Sequence, residues 1–187
     1  PSLCKELSGE INENQSIVSV AAGIKYESLK NSLPTKKIFR AMPNVGAKDN
    51  LGITAIFSDT DNTEVLEIFK FLGEAYEVEN EDQVDLHTVL IGSGPAFFYE
   101  LLSEFEKRMD ALVQEKDVKR LISIVFLSSL ITSIKNGESL EDLIESVASK
   151  GGTTEAGLNY LYKEKFNEIF SGAVDAGVKR AKELSMD

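Results

Sequence analysis

Cysteine and histidine are almost absent: Cys4 and His87 are the only ones in 187 residues. A single cysteine cannot close an intrachain disulfide and fits a reducing compartment, so a cytoplasmic location is expected. One cysteine and one histidine cannot make the usual zinc ligand set, and no metal is expected. Positive charge is also scarce, with 20 Lys and Arg against 31 Asp and Glu and a formal net charge of -11. Phosphate neutralisation needs clustered Lys and Arg, so a nucleic-acid partner is not expected. Lys119-Arg120 and Lys179-Arg180 are isolated pairs that read as solvated helix positions. No secretory signal is visible. The uncharged run from Leu121 to Ile134 is shorter than the roughly 20 apolar residues a membrane span needs, so no membrane role is expected.

Several catalytic signatures are missing as well. Gly92-Ser93-Gly94 begins a G-x-G-x-x-G, but Phe97 stands at the third glycine position. Ser149 to Thr154 has the letters of a phosphate-binding P-loop in the wrong order. No G-x-S-x-G elbow occurs. His87, Asp85 and Ser93 make a hydrolase triad only on paper, because His87 sits amid Leu86, Val89 and Leu90 and reads as structural.

What is present is a globular balance, 42% hydrophobic and 27% charged, which excludes a disordered chain. The length is about 1.2 typical domains, so one large or two small ones are expected. Up to about Asn80, strand-like and helix-like pieces alternate. Ser16–Val20 reads as a buried strand, Tyr26–Asn31 as a helix, and Lys37–Arg40 as a strand closed by Met42-Pro43-Asn44. Gly52–Phe57 reads as a β-branched strand and Thr63–Leu72 as a helix, with Asp59, Asp61 and Asn62 supplying turn and cap chemistry. Ala75–Glu79 is a last strand. The alternation implies an α/β sheet with some parallel pairing.

From Asp82 onward the pattern is helical: Asp82–Ile91, Pro95 to about Val113, Asp117–Asn136 ended by Gly137, Leu140–Val147, Thr153–Tyr162 and Glu164–Leu184. Leu121–Ile134 is apolar on every side of a helical wheel, although it carries Ser123, Ser128, Ser129, Thr132 and Ser133. Such a helix is normally buried all round. A domain of this size offers little interior for it, so a partner subunit is expected to cover part of it; the other reading is the central helix of a monomeric bundle.

Three segments carry possible chemistry. In Gly151-Gly152-Thr153-Thr154-Glu155, two residues without Cβ allow close backbone approach, and two threonines then open a helix. A helix N-terminus has unpaired N–H groups and the positive dipole end, suited to a carboxylate or phosphate. Glu155 mildly opposes an anion there, and the same residues also read as a capped inter-helix turn. Gly92-Ser93-Gly94-Pro95-Ala96 reads either as a turn of small residues between crossing helices or as a backbone path past a ligand. Arg40-Ala41-Met42-Pro43-Asn44 and Ala21-Ala22-Gly23 each follow a strand, where ligands of open α/β sheets gather, and the two loops could face one crevice. Each alone also reads as an ordinary strand-end turn.

In this order, SVAAGI (19–24), RAMPN (40–44), GITA (52–55), the stretch from Val84 to GSGPA (92–96), VAS with GGTTEAGL (147–158) and KRAKEL (179–184) resemble the pyrroline-5-carboxylate reductase family over nearly the whole chain. The resemblance implies α/β followed by all-α: residues 1–80 the later half of a Rossmann-like NAD(P)-binding domain, and residues 81–187 a helical dimerisation and substrate-binding domain of the 6-phosphogluconate dehydrogenase C-terminal type. It implies reduction of 1-pyrroline-5-carboxylate to L-proline by NADPH or NADH, and a homodimer or higher oligomer.

By motif position, Thr154 would hydrogen-bond the imine nitrogen and be the catalytic residue. Gly151, Gly152 and Thr153 would hold the substrate carboxylate, and Val147 and Ser149 would line the pocket. Ala22, Gly23, Pro43 and Asn44 would face the nicotinamide. The family often has proline where Lys150 stands. Its dinucleotide fingerprint would precede Pro1, so this chain alone is expected to bind NADPH poorly and to be inactive. The alternatives are a non-catalytic dimerisation module and an NADP-dependent reductase of another imine.

Overall fold

The computed structural model describes residues 2–7, 9–109 and 115–184. The elements run α1 (Ser2–Leu7), β1 (Ile17–Ser19), α2 (Tyr26–Ser32), β2 (Ile38–Pro43), β3 (Gly52–Phe57), α3 (Thr63–Lys70), β4 (Gly73–Glu77), α4 (Glu81–His87), α5 (Gly94–Met109), α6 (Glu115–Asn136), α7 (Leu140–Val147), α8 (Thr153–Lys163) and α9 (Phe166–Leu184). The backbone divides into two compact units, residues 1–95 with 173–187 and residues 96–172.

The first unit is built on one mixed sheet in the order β1-β2-β3-β4. β1 runs parallel to β2 with Ser19 opposite Arg40, β2 runs antiparallel to β3, and β3 runs parallel to β4, which borders the sheet. β2 goes further than the expected strand ending at Arg40: it continues through Pro43, opposite Thr54. Pro43 lies beyond the last paired residue of β1, so its ring has a strand on one side only, where a missing N–H is tolerated.

Strand alternation sorts β2 onto two faces. Phe39 and Ala41 pack with Ile56, Val65 and Phe69 under α3. Ile38 packs with Tyr26, Leu29 and Leu33 of the α2 segment, and Met42 with Ala55 of β3, Val78 after β4 and Val84 of α4. At the start of α3 the turn chemistry is Asp61's, whose Oδ1 accepts from the Thr63 N–H at 3.0 Å and the Thr63 hydroxyl at 2.6 Å. Asp59 instead accepts from the Tyr26 hydroxyl and Lys30, and Asn62 donates to Glu77.

Arg40 shares the face of Ile38 and Met42, and its side chain is only 3% exposed. Its Nη1 lies 2.6 Å from Glu81 Oε1, and its Nη2 lies 3.6 Å from Asp85 Oδ1. The same Glu81 oxygen accepts the Tyr26 N–H at 2.6 Å. One buried cation therefore ties β2 to the first turns of α4 and, through Glu81, to the start of α2. His87, at the end of α4, is buried, and its Nδ1 is hydrogen-bonded with the Tyr76 hydroxyl at 2.7 Å. Burial holds its pKa below the ordinary value, with the backbone of Met42 and Ile53 pulling the other way.

The helical segment departs from the sequence reading at one place. Where a turn was expected at Gly92-Ser93-Gly94, the backbone stays helical from Glu81 to Met109, and Thr88–Ser93 is wound as a π-helix. Pro95 has no N–H for the carbonyl one turn back and its ring crowds that carbonyl, and the wider coil just before it accommodates both without a break. The expected end of that helix near Val113 lies outside the described residues.

The second unit has little interior. Phe98 and Phe105 of α5 meet Phe126 of α6 edge-on, with ring centroids 5.2 and 5.0 Å apart. Among the described residues of this unit, Val118 and Ile122 are the only fully buried hydrophobics. Ile124, Val125, Leu127, Leu130, Ile131 and Ile134 of α6 are exposed, Ile134 at 80%. The hydroxyls of Ser123, Ser128, Ser129 and Ser133 donate to carbonyls of the preceding turn, at 2.7 to 2.9 Å. α6 thus satisfies these polar groups by itself and presents a surface suited to burial.

Two outcomes are expected. Arg40→Met leaves Glu81 and Asp85 without their cation and costs about 3–5 kcal/mol, read as a lower urea midpoint; an unchanged midpoint would show that the ion cluster contributes nothing. Free histidine titrates near pH 6.5, above the folded His87, so the unfolded chain takes the proton first. The His87 contribution to stability is whole above about pH 6.5 and shrinks as the pH falls below it. Melting curves from pH 7.5 to 5.5 should show a fall in wild type that is smaller in His87→Leu; equal slopes exclude His87 as the source.

Candidate functional site

The residues named from the helical part come together on one short connection. Val147 is the last residue of α7, and Thr153 and Thr154 open α8. α7 is anchored at its start by a capping box, with the Ser139 hydroxyl accepting the Asp142 N–H at 3.1 Å and the Asp142 carboxylate facing back. At its end the chain folds into a turn in which the Gly152 N–H donates to the Ser149 carbonyl at 2.9 Å. Gly151 has φ +74°, the left-handed region open to glycine. A Cβ on Gly152 would stand 2.5 Å from Ser149 Oγ, so that position needs glycine for space.

The mouth of α8 has the donors expected of an anion seat. No side chain caps the helix at Gly152, and the first helical bond runs from the Ala156 N–H to the Gly152 carbonyl at 3.1 Å. The amides of Thr153 and Thr154 therefore have no acceptor within the helix. Val147, Ser149, Gly151, Thr153 and Thr154 are exposed and Gly152 is half-buried. Two expected donors are already engaged: the Gly152 N–H by the Ser149 carbonyl, and the Gly151 N–H by Glu155 Oε2 at 2.8 Å. From the sequence, Glu155 appears only as a charge opposing an anion. Its spacing, four residues after a glycine and in the first turn of a helix, is the signal for this contact.

The residues named from the α/β part lie at two strand ends. β1 and β2 are parallel neighbours, so Ala21-Ala22-Gly23 follows β1 at the same end of the sheet at which β2 runs out through Pro43 to Asn44. Ala22 is exposed, and Pro43 and Asn44 are half-buried. Asn44 also has a structural task, since its Oδ1 accepts the Ile53 N–H at 3.0 Å and holds the β2–β3 connection. Gly23 has φ +71°, and a Cβ there would be 2.9 Å from the Cβ of Leu184 at the end of α9. The space beside Gly23 is thus taken by α9. No glycine fingerprint for a pyrophosphate occurs in this chain.

Arg40 belongs to the RAMPN motif, but its place in the ion cluster was not drawn from the sequence. The available signal was an arginine flanked by Ile38, Phe39, Ala41 and Met42 in a strand, with Glu81 and Asp85 spaced one helical turn apart further on. The Tyr76–His87 pair lines a separate open pocket of about 420 Å³ that contains none of the named site residues. Among the described residues, no helix is long and apolar enough to cross a membrane.

The family profile described as pyrroline-5-carboxylate reductase dimerisation matches residues 81–184. The chain is 34% identical to the pyrroline-5-carboxylate reductase of Staphylococcus haemolyticus, covering 94% of this chain and 67% of the relative. It is likewise 34% identical to pyrroline-5-carboxylate reductase 1 of Bacillus subtilis, covering 97% of this chain and 63% of the relative. The chain thus spans about two thirds of the length of these relatives.

Among solved structures, a pyrroline-5-carboxylate reductase from Coxiella burnetii is similar with a TM-score of 0.85 and 28% identity, over 98% of this chain and 71% of the other. A Plasmodium falciparum pyrroline carboxylate reductase with NADP bound shares the fold, with a TM-score of 0.90 at 22% identity, over 98% of this chain and 76% of the other. The profile covers more than half of the chain, and the relatives carry the likeness over nearly all of the rest. The architecture of a Rossmann-like part followed by a helical dimerisation part is shared with them, and the chain belongs to the pyrroline-5-carboxylate reductase family.

Proposed function

We propose that this chain carries the substrate seat and the nicotinamide end of an enzyme reducing 1-pyrroline-5-carboxylate to L-proline, the last step of proline synthesis. The observation that carries the reading is the turn before α8, where the unsatisfied amides of Thr153 and Thr154 stand at the positive end of a helix dipole beside two glycines. A small cyclic imino acid has one carboxylate and one ring nitrogen to be held. The amides of the seat receive the carboxylate, and the Thr154 hydroxyl holds the ring nitrogen and orients the imine. Gly151 and Gly152 let the ring approach the backbone, and Val147 and Ser149 line its flank.

When bound, NADPH or NADH supplies the hydride. Ala22, Gly23, Pro43 and Asn44 shape the border on which the nicotinamide rests, and the protein's contribution is orientation and electrostatics. Residues 1–80 serve the cofactor, and residues 81–187 serve substrate and assembly. The scarcity of buried hydrophobics in residues 96–172 and the exposed face of α6 support a homodimer in which a second copy completes the core. A cytoplasmic location agrees with the single free cysteine.

Thr154→Ala removes one neutral hydrogen bond worth about 0.5–1.5 kcal/mol, so a several-fold loss of kcat/KM is expected in protein extended to include a dinucleotide-binding segment. The assay is substrate-dependent NADPH oxidation, with other cyclic imines compared alongside. Unchanged kcat/KM removes Thr154 from the site, and faster turnover of a different imine reassigns the substrate. Sedimentation of the 187-residue chain should show a dimer or larger species, and Leu127→Glu with Leu130→Glu should dissociate it. A wild-type monomer that melts cooperatively would remove the assembly argument.

A further inference from the structure

The contact between Glu155 and Gly151 has the geometry of a cap but not its target. In a capping box, the third helical residue reaches back to the N-cap amide. Here the N-cap is Gly152, and its amide already donates to the Ser149 carbonyl. Glu155, the third residue of α8, passes over it to the Gly151 N–H, one residue further out. Gly151 needs such a tether. It adopts a left-handed conformation, and open space surrounds the place where its Cβ would be. Lys150 before it is exposed.

We infer that Glu155 is a positioning residue of the proposed seat: its carboxylate fixes the Gly151 peptide and thereby holds the turn open, leaving recognition of the ligand carboxylate to the amides of Thr153 and Thr154. The inference rests on the reading of the α8 mouth as a substrate seat. It also assigns the donors differently from the motif alone, since the Gly151 amide serves the loop and not the ligand. A glutamine here keeps an oxygen acceptor for the Gly151 N–H while removing a negative charge close to an entering anion. An alanine removes both.

The test uses the full 187-residue chain, wild type, Glu155→Ala and Glu155→Gln, with L-proline as the probe. Hydrogen exchange at the Gly151 amide is followed by NMR, and proline affinity is measured by titration with melting temperature monitored alongside. In Glu155→Ala, exchange at Gly151 should rise at least about tenfold and proline should bind about three- to tenfold more weakly, as expected for one lost hydrogen bond. Glu155→Gln should restore both to within about twofold of wild type, or bind proline more tightly, whatever its melting temperature. Unchanged exchange in Glu155→Ala overturns the tether. Tighter proline binding by Glu155→Ala makes Glu155 a competitor and overturns the positioning role, as does equal weakening in both variants. Wild-type protein that takes no proline overturns the seat itself, whereas wild type that binds with Glu155→Ala unaltered overturns this inference alone.

Discussion

A guanidinium placed in an apolar strand sets the terms for the α/β unit. Arg40 cannot reach water between Ile38 and Met42, so anions must come to it, and α4 brings two of them one turn apart. A buried cation without partners would cost several kcal/mol, so β2 and α4 are held in a definite relation. The Tyr26 amide on the same Glu81 oxygen extends that constraint to α2. Pro43 and Asn44 follow directly on this strand, and their position is inherited from the fixed charge three residues before Pro43. Hydrophobic packing alone would allow the strand to slide; a directional ion pair does not.

The helical unit rests on the opposite principle, an interior it does not contain. Phe98, Phe105 and Phe126 form a small aromatic contact, but most of the large apolar side chains of α6 are uncovered. Serine is a poor choice for a buried helix unless its hydroxyl is bonded locally, and here four serines bond to carbonyls of their own helix. That removes the main cost of covering α6 with another surface. The same unit holds the turn between α7 and α8, so the proposed seat lies in the unit with the most uncovered apolar surface.

Much of the fold was legible in the sequence because its signals are local. The β-branched strand Gly52–Phe57 and the helix Leu140–Val147 fall where residue type and hydrophobic spacing place them. The readings that changed depend on tertiary context. Pro43 stops a strand flanked on both sides but not one with an open border, and the border is visible only once β1 is known to be short. Gly92-Ser93-Gly94 carries the letters of a turn, yet a helix anchored on both sides stretches through it as a π-coil. In the seat, the twin glycines and threonines were evident from composition and order. Which amide is free and which is spoken for was not, because that depends on where the Glu155 side chain reaches. Arg40 is the same kind of case: its partners lie some forty positions away along the chain, beyond the reach of any local pattern.

Strand β4 ends the sheet with its outer backbone groups unpaired, and its sequence is Gly-Glu-Ala-Tyr-Glu. Parallel, in-register stacking of such strands from neighbouring molecules would set glutamates against glutamates, on chains that each already carry an excess of negative charge. The border that is open to templated, fibre-like stacking is therefore guarded by repulsion. Association between copies in parallel register through β4 is thereby disfavoured.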